Sequence, residues 1–178
     1  MGLTQSHSQI KVYLKNGEVK EGNIGKFTTA YVTAVKSFKL KQGEKGKFQK
    51  FKAKNTDSIV CYQDGELITY HSLLGVYGKP NFYLLHERGK INIYKINSMT
   101  TTGYGAFSST HYPIKRKHEE RIANIHKGGP YWSNFAEVAS EYFSDCPELV
   151  EKIKNREEGF TKDNQLEVAQ FYNRSCNE

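Results

Sequence analysis

The chain has no run of apolar residues approaching the roughly 18 that cross a bilayer as a helix, and its first residues carry no apolar signal core. Only three cysteines occur, Cys61, Cys146 and Cys176, yet 178 residues are enough to bury a core without metals or many disulfides. The signatures of common chemistry are missing too. The six histidines (His7, His71, His86, His111, His118, His126) show neither the i, i+4 helical spacing nor the Cys-x-x-Cys company of a zinc site. If any of them meet, they are His71 and His86 on neighbouring strands. The glycines of "GNIGKF", "GEKGKF" and "ERGKI" lack the G-x-x-x-x-G-K-[ST] pattern that cradles phosphate, and no G-x-S-x-G elbow is present. Glu119 and Glu120 read as solvated. The expectation is a chain with no catalytic residue, no metal site and no cofactor, hence not an enzyme.

What is abundant is aromatic. Twelve tyrosines and ten phenylalanines bias the chain toward strands with one buried face. "IKVYLKNGEVKEGNI" alternates Ile10, Val12 and Leu14 with Lys11, Tyr13 and Lys15, and Asn16-Gly17 fits a two-residue type I′ turn that pairs Leu14 with Val19. Keeping the alternation beyond that turn requires an extra residue, so a bulge is expected at Gly22, with Ile24 opposite Ile10. Further strands are expected at about 30–41, 47–54, 59–63 and 66–71, with a hairpin across Glu87 to Gly89. "SMTTTGYGAFSS", from Ser98 to Ser109, reads as a loop by composition, and "HYPIKRKHEERIANI" as one more hairpin kept off a central position by Pro113.

Beyond "HKGGP" the period changes. Trp132, Phe135, Val138, Ala139 and Tyr142 fall at helical spacing, as do Leu149, Val150 and Ile153, and then Ala169 and Tyr172. Three short helices are expected, with Asp145 capping the second, Pro147 in its first turn, and Trp132 and Phe135 buried where the first meets the sheet. The fold class is therefore α+β, mainly antiparallel β as a small barrel or strongly bent sheet, followed by three short C-terminal helices. The division is 1–8 as a flexible segment, 9–126 as the β domain and 127–178 as a helical subdomain packed on the sheet. If the second helix spans about Cys146–Asn155 and the third about Lys162–Asn173, they are about 15 and 18 Å long, and an antiparallel return brings Cys176 back to Cys146. That pair is then within disulfide reach, while Cys61 stays buried and unpaired. The alternative is two free thiols packed as small apolar groups.

Lys and Arg exceed Asp and Glu by 26 − 19 = 7, and the excess is concentrated. Eight lysines, Lys36, Lys39, Lys41, Lys45, Lys47, Lys50, Lys52 and Lys54, stand against the single acid Glu44, with Phe38, Phe48 and Phe51 interleaved. Lysines interleaved with rings on a small barrel can follow a phosphate backbone and stack on bases. The plainer reading is an outward face that keeps a β-protein soluble, because basic charge alone supplies only non-specific, salt-sensitive attraction.

"LKNGEVKEGNI" at Leu14 to Ile24, "YFSDCPEL" at Tyr142 to Leu149, and "FYN" followed by a cysteine at Phe171 to Cys176 resemble motifs of exported β-rich proteins of Bacteroidota that end in a short helical tail with YF-x-D-C-P-x-L. The resemblance carries no known activity. It implies a signal peptide removed from a precursor and a periplasmic or extracellular location. Two functions follow as expectations. The first is a non-enzymatic binding or structural module of the bacterial cell envelope, partnered by an envelope protein or an anionic polymer and without an integral membrane span. The second is an intracellular small β-barrel that binds nucleic acid through lysines 36–54; charge alone argues for it, so nucleic acid is the less favoured partner.

Overall fold

Alternation of apolar and polar residues carries eleven described segments of the chain into strands. In order they are β1 (Ile10–Leu14), β2 (Val19–Gly22), β3 (Ile24–Thr29), β4 (Val35–Lys41), β5 (Gln49–Lys52), β6 (Thr56–Gln63), β7 (Glu66–Leu74), β8 (Pro80–Glu87), β9 (Ile91–Thr102), β10 (Gly105–His111) and β11 (Ile114–Arg116). Three helices follow: α1 (Phe135–Tyr142), α2 (Pro147–Lys154) and α3 (Gln165–Ser175). The structure is a computed structural model that describes residues 9–29, 35–63, 65–75, 77–102, 105–123, 125 and 135–176. Strand neighbours run β10-β9-β8-β7-β6-β1-β2, and β3, β4 and β5 join this path where Val35 lies opposite Phe82. Among the described residues its two ends do not pair, so the antiparallel sheet is open and not a closed barrel. Among the described residues no helix is long and apolar enough to cross a membrane.

The first hairpin differs from the expected register by one residue. Gly17 alone takes the left-handed conformation (φ 88°) and donates to the Leu14 carbonyl at 3.0 Å, while Leu14 N–H donates to Glu18 O at 2.8 Å. This is a three-residue loop closed by a left-handed glycine, not a type I′ turn. Tyr13, not Leu14, therefore faces Val19, and the register runs unbroken to Ile10 opposite Gly22. The extra residue sits in the turn, so no bulge forms at Gly22, and Ile24 lies opposite Lys41 of β4, not Ile10. One consequence is electrostatic: Lys11 comes to face Glu21, with Nζ 3.0 Å from Oε1.

The segment from Ser98 to Ser109 is also not the loop its composition predicted, because β9 continues to Thr102 and β10 begins at Gly105. Threonine is a strand former as well as a loop residue, and a neighbouring ladder decides between the two. The hairpin expected after Pro113 is reduced to isolated bridging, in which Ile114 and Ala123 exchange backbone hydrogen bonds of 3.0 and 2.7 Å. Pro113 sits just ahead of β11 and contributes its carbonyl, which accepts from Tyr94 N–H at 2.8 Å.

The chain divides into two compact units, residues 1–85 with 96–109 and residues 86–95 with 110–178. In the first, Ile10 and Val12 of β1 face Cys61 and Ile59 of β6, and Phe38 faces Phe51 across β4 and β5. Val12 and Ile59 are wholly buried, each side chain stabilising by about 1.5–3 kcal/mol. Ser72 Oγ donates to the carbonyl of Ala53, which lies in the 3-10 turn Ala53–Asn55 between β5 and β6.

In the second unit the helices bury Phe143, Leu149, Ile153, Val168, Ala169 and Tyr172 against Ile91, Ile93, Ile114 and Ile125. Phe135 of α1 is half-buried at the edge of this core and not enclosed as expected; Trp132 lies outside the described residues. Asn173 of α3 imitates a strand partner. Its Oδ1 accepts from Ile91 N–H at 3.0 Å, and its Nδ2 donates to Ile91 O and to Glu87 Oε1, both at 3.1 Å. Gln170 Nε2 donates to the other Glu87 oxygen at 2.8 Å. A side chain at Gly89 would run into Asn173, so the close approach requires glycine there.

Replacing Asn173 by Ala leaves the Ile91 amide and carbonyl without these partners, and urea unfolding monitored on the helices is expected to show a loss of about 1–3 kcal/mol. A change below about 0.5 kcal/mol would mean that water replaces the clamp.

Candidate functional site

Because β4 and β5 alternate, each offers one face to the core and the other outward. Phe38 and Phe51 occupy the inner face, 3% and 5% exposed. The outer face therefore collects Lys39, which lies in one cross-strand row with Lys26 of β3 and Lys50 of β5. Two residues along, Lys41 extends this face on β4, and Lys52 extends it on β5 opposite Ser37. Phe48, just before β5, is 41% exposed, with Lys26 Nζ 4.7 Å and Lys41 Nζ 5.3 Å from its ring centroid.

Neighbouring strands lie about 4.8 Å apart, and like charges placed directly opposite destabilise the pairing. At about 5 Å two ammonium groups repel by up to about 0.8 kcal/mol in water. An ordinary solvated face avoids this by alternating signs, as β1 and β2 do with Lys11 opposite Glu21, 3.0 Å apart. Among the described residues no carboxylate pairs with Lys26, Lys39, Lys50 or Lys52. The row is an array of positive charge backed by the buried Phe38 and Phe51.

Of the eight lysines in the expected basic segment, Lys39, Lys41, Lys50 and Lys52 share this face. Lys36 is exposed at a bulge, where the register jumps from Ser37 opposite Thr28 to Val35 opposite Thr29. Lys45 and Lys47 are exposed between β4 and β5, and Lys54 is exposed in the 3-10 turn. Lys26 was missed because it lies outside the lysine-dense run. The strand pairing of "GKFTT" with "SFKLK" is the signal that finds it.

A second constellation lies in the helical unit. The Arg116 guanidinium grips the Asp145 carboxylate with both ends, Nη1 to Oδ2 at 2.7 Å and Nη2 to Oδ1 at 2.8 Å, and Nη2 also donates to Tyr142 O at 2.7 Å. Its Cζ lies 5.0 Å from the centroid of the Tyr142 ring and 5.2 Å from that of Tyr172. Tyr172 O–H donates to Asp145 Oδ2. Glu119 Oε2 accepts from Tyr142 O–H at 2.9 Å and from Arg116 N–H at 2.8 Å, so Glu119 is not merely solvated, whereas Glu120 is exposed. Asp145 does not cap α2: Cys146 occupies that position, and the carboxylate is drawn to Arg116 by a stronger charge-assisted pairing. The hydrogen bonds from Arg116 hold Asp145 well below the usual carboxylate range, and the bond from Tyr172 adds to this. Burial pushes the Tyr172 phenol up to about 12, with its bond to Asp145 acting in the same direction. The partners of this cluster are internal, and it fastens β11 to the helices.

Beside it Cys146, at the start of α2, is bonded to Cys176, just past α3, with the Cα atoms 5.4 Å apart and both residues buried. The bridge closes a separation of 30 residues. Cys61 is unpaired, but half-buried and not enclosed, and partial burial pushes its thiol pKa up. His71 stands opposite Tyr83, not His86, so those two histidines are not cross-strand neighbours. The His86 ring instead lies 5.3 Å from Tyr112, and no cluster of three His, Cys, Asp or Glu side chains forms among the described residues.

Intact mass after alkylation of the denatured, unreduced protein is expected to show one labelled cysteine, Cys61. Cys176→Ser is expected to lose about 3–4 kcal/mol of unfolding free energy, the chain-entropy value for a loop of this size. Because the pKa of Asp145 is lowered by folding, its contribution is present above about pH 4 and lost as pH falls further. The wild type is therefore expected to lose melting temperature between about pH 5 and pH 2, and Asp145→Asn to lose less over the same range. Parallel profiles would remove Asp145 as the cause.

Compared with known proteins, the chain matches no family model, no curated protein and no solved structure, so no activity is carried over to it from another protein.

Proposed function

We propose that this chain is a non-enzymatic binding module of the bacterial cell envelope that works in the periplasm or outside the cell and holds an anionic polymer or surface on the outer face of β3, β4 and β5. The observation that carries the reading is the cross-strand row Lys26, Lys39 and Lys50 with no acid interleaved. Three like charges stacked across a sheet oppose pairing, so a counter-anion on that face relieves the repulsion and binds with the full field of the row. The compartment is supported by the Cys146–Cys176 bond, which persists in oxidising surroundings, and by the resemblance to exported proteins carried by "YFSDCPEL".

The second reading, an intracellular nucleic-acid-binding barrel, draws on the same lysines. The disulfide weighs against a reducing compartment, and the sheet is open where that reading named a small barrel.

The test separates position from net charge. Lys39→Glu/Lys50→Glu is expected to elute from immobilised heparin at clearly lower salt than Lys36→Glu/Lys54→Glu, although both double variants change the charge by the same amount. Equal shifts would sink the face as a site. Binding to DNA is expected to fade steeply between about 50 and 200 mM salt, and sequence-selective binding that survives physiological salt would favour the second reading.

A further inference from the structure

We infer that the partner of the β3–β4–β5 face is the surface of an anionic lipid membrane, on which the sheet lies flat as a peripheral, reversible contact. This rests on the anion-binding reading above and adds the kind of anion. The charges are arranged in two dimensions. Lys26, Lys39 and Lys50 run across the strands, with a span of about 10 Å for three strands at about 4.8 Å spacing, while Lys41 and Lys52 extend the array along the strands in opposite directions. A plane of headgroups meets all five at once, whereas a single polymer chain following the row leaves the outlying lysines unmatched.

Phe48 points to the same source. Its exposed ring lies among the ammonium groups, 4.7 Å from Lys26 Nζ and 5.3 Å from Lys41 Nζ, and these occupy the ring face on which a nucleic-acid base would stack. An aromatic ring surrounded by lysines suits the headgroup boundary, where the ring enters the apolar edge and the ammonium groups stay among the phosphates. One ring is a weak anchor, so the charges dominate and the contact releases in salt.

The test is sedimentation of the full chain with vesicles of phosphatidylcholine alone or with 30% phosphatidylglycerol (about one anionic lipid in three), set beside inorganic polyphosphate and a single-stranded oligonucleotide at the same ionic strength. Binding is expected to the anionic vesicles and not to phosphatidylcholine alone, falling about fivefold per lysine removed, so Lys39→Gln/Lys50→Gln binds about 25-fold more weakly. Phe48→Ala is expected to weaken vesicle binding and leave polyphosphate binding unchanged. Lys26→Gln/Lys52→Gln, on β3 and β5, repeats the lysine test should the first pair perturb folding, which circular dichroism reports. Polyphosphate or oligonucleotide binding through these lysines without vesicle binding overturns the membrane assignment and leaves the anion-binding face standing. Binding to none of the three, or binding unchanged in both lysine pairs, overturns both.

Discussion

Helices of eight and eleven residues are too short to persist in water, since the first turn costs more order than one hydrogen bond returns. α2 and α3 exist because their apolar stripes have something to cover and because the Cys146–Cys176 bond ties the beginning of one to the end of the other. That tie fixes where Asp145 and Tyr172 stand, one residue before the bridge and four residues ahead of its far end. Arg116 can then grip Asp145 while lying over both tyrosines. The covalent bond limits the unfolded chain, and the charged clasp gives the folded one its orientation.

The β-rich unit obeys a different constraint, the two-residue period of a strand. Burying Phe38 against Phe51 forces the residues on either side of each to point outward, and in this chain many of those are lysines. Cross-strand pairing then sets lysine against lysine, where β1 and β2 set lysine against glutamate. The same sheet thus holds a neutralised face and a charged one. The buried phenylalanines hold an array of positive charge that disfavours itself until an anion covers it.

Asn16-Gly17 fits two turn types, and the choice between them moves every partner in β1 and β2 by one residue, which one local dipeptide does not encode. The serine- and threonine-rich stretch at 98–109 reads as a loop until neighbouring strands complete it. Asp145 before Pro147 has the form of a helix cap, but a guanidinium 29 residues earlier in the chain competes for the same oxygens and wins by charge. Asn173 and Glu87 gave no sequence signal, because their bonds span more than 80 residues.

By itself the sequence determined the α+β order, the alternation that makes each strand two-faced, the three short helices and the positions of the two cysteines that bond. These are local properties, written in periods of 2 and 3.6 residues and in turn residues read within a window of about ten. Only the tertiary structure decided that Lys26 joins Lys39 and Lys50, that Lys36 leaves the row at a bulge, and that Arg116 claims Asp145. Those outcomes depend on register and on distant partners. A shift of one residue reverses the face on which a side chain appears, so the charge pattern is settled only when the ladder closes.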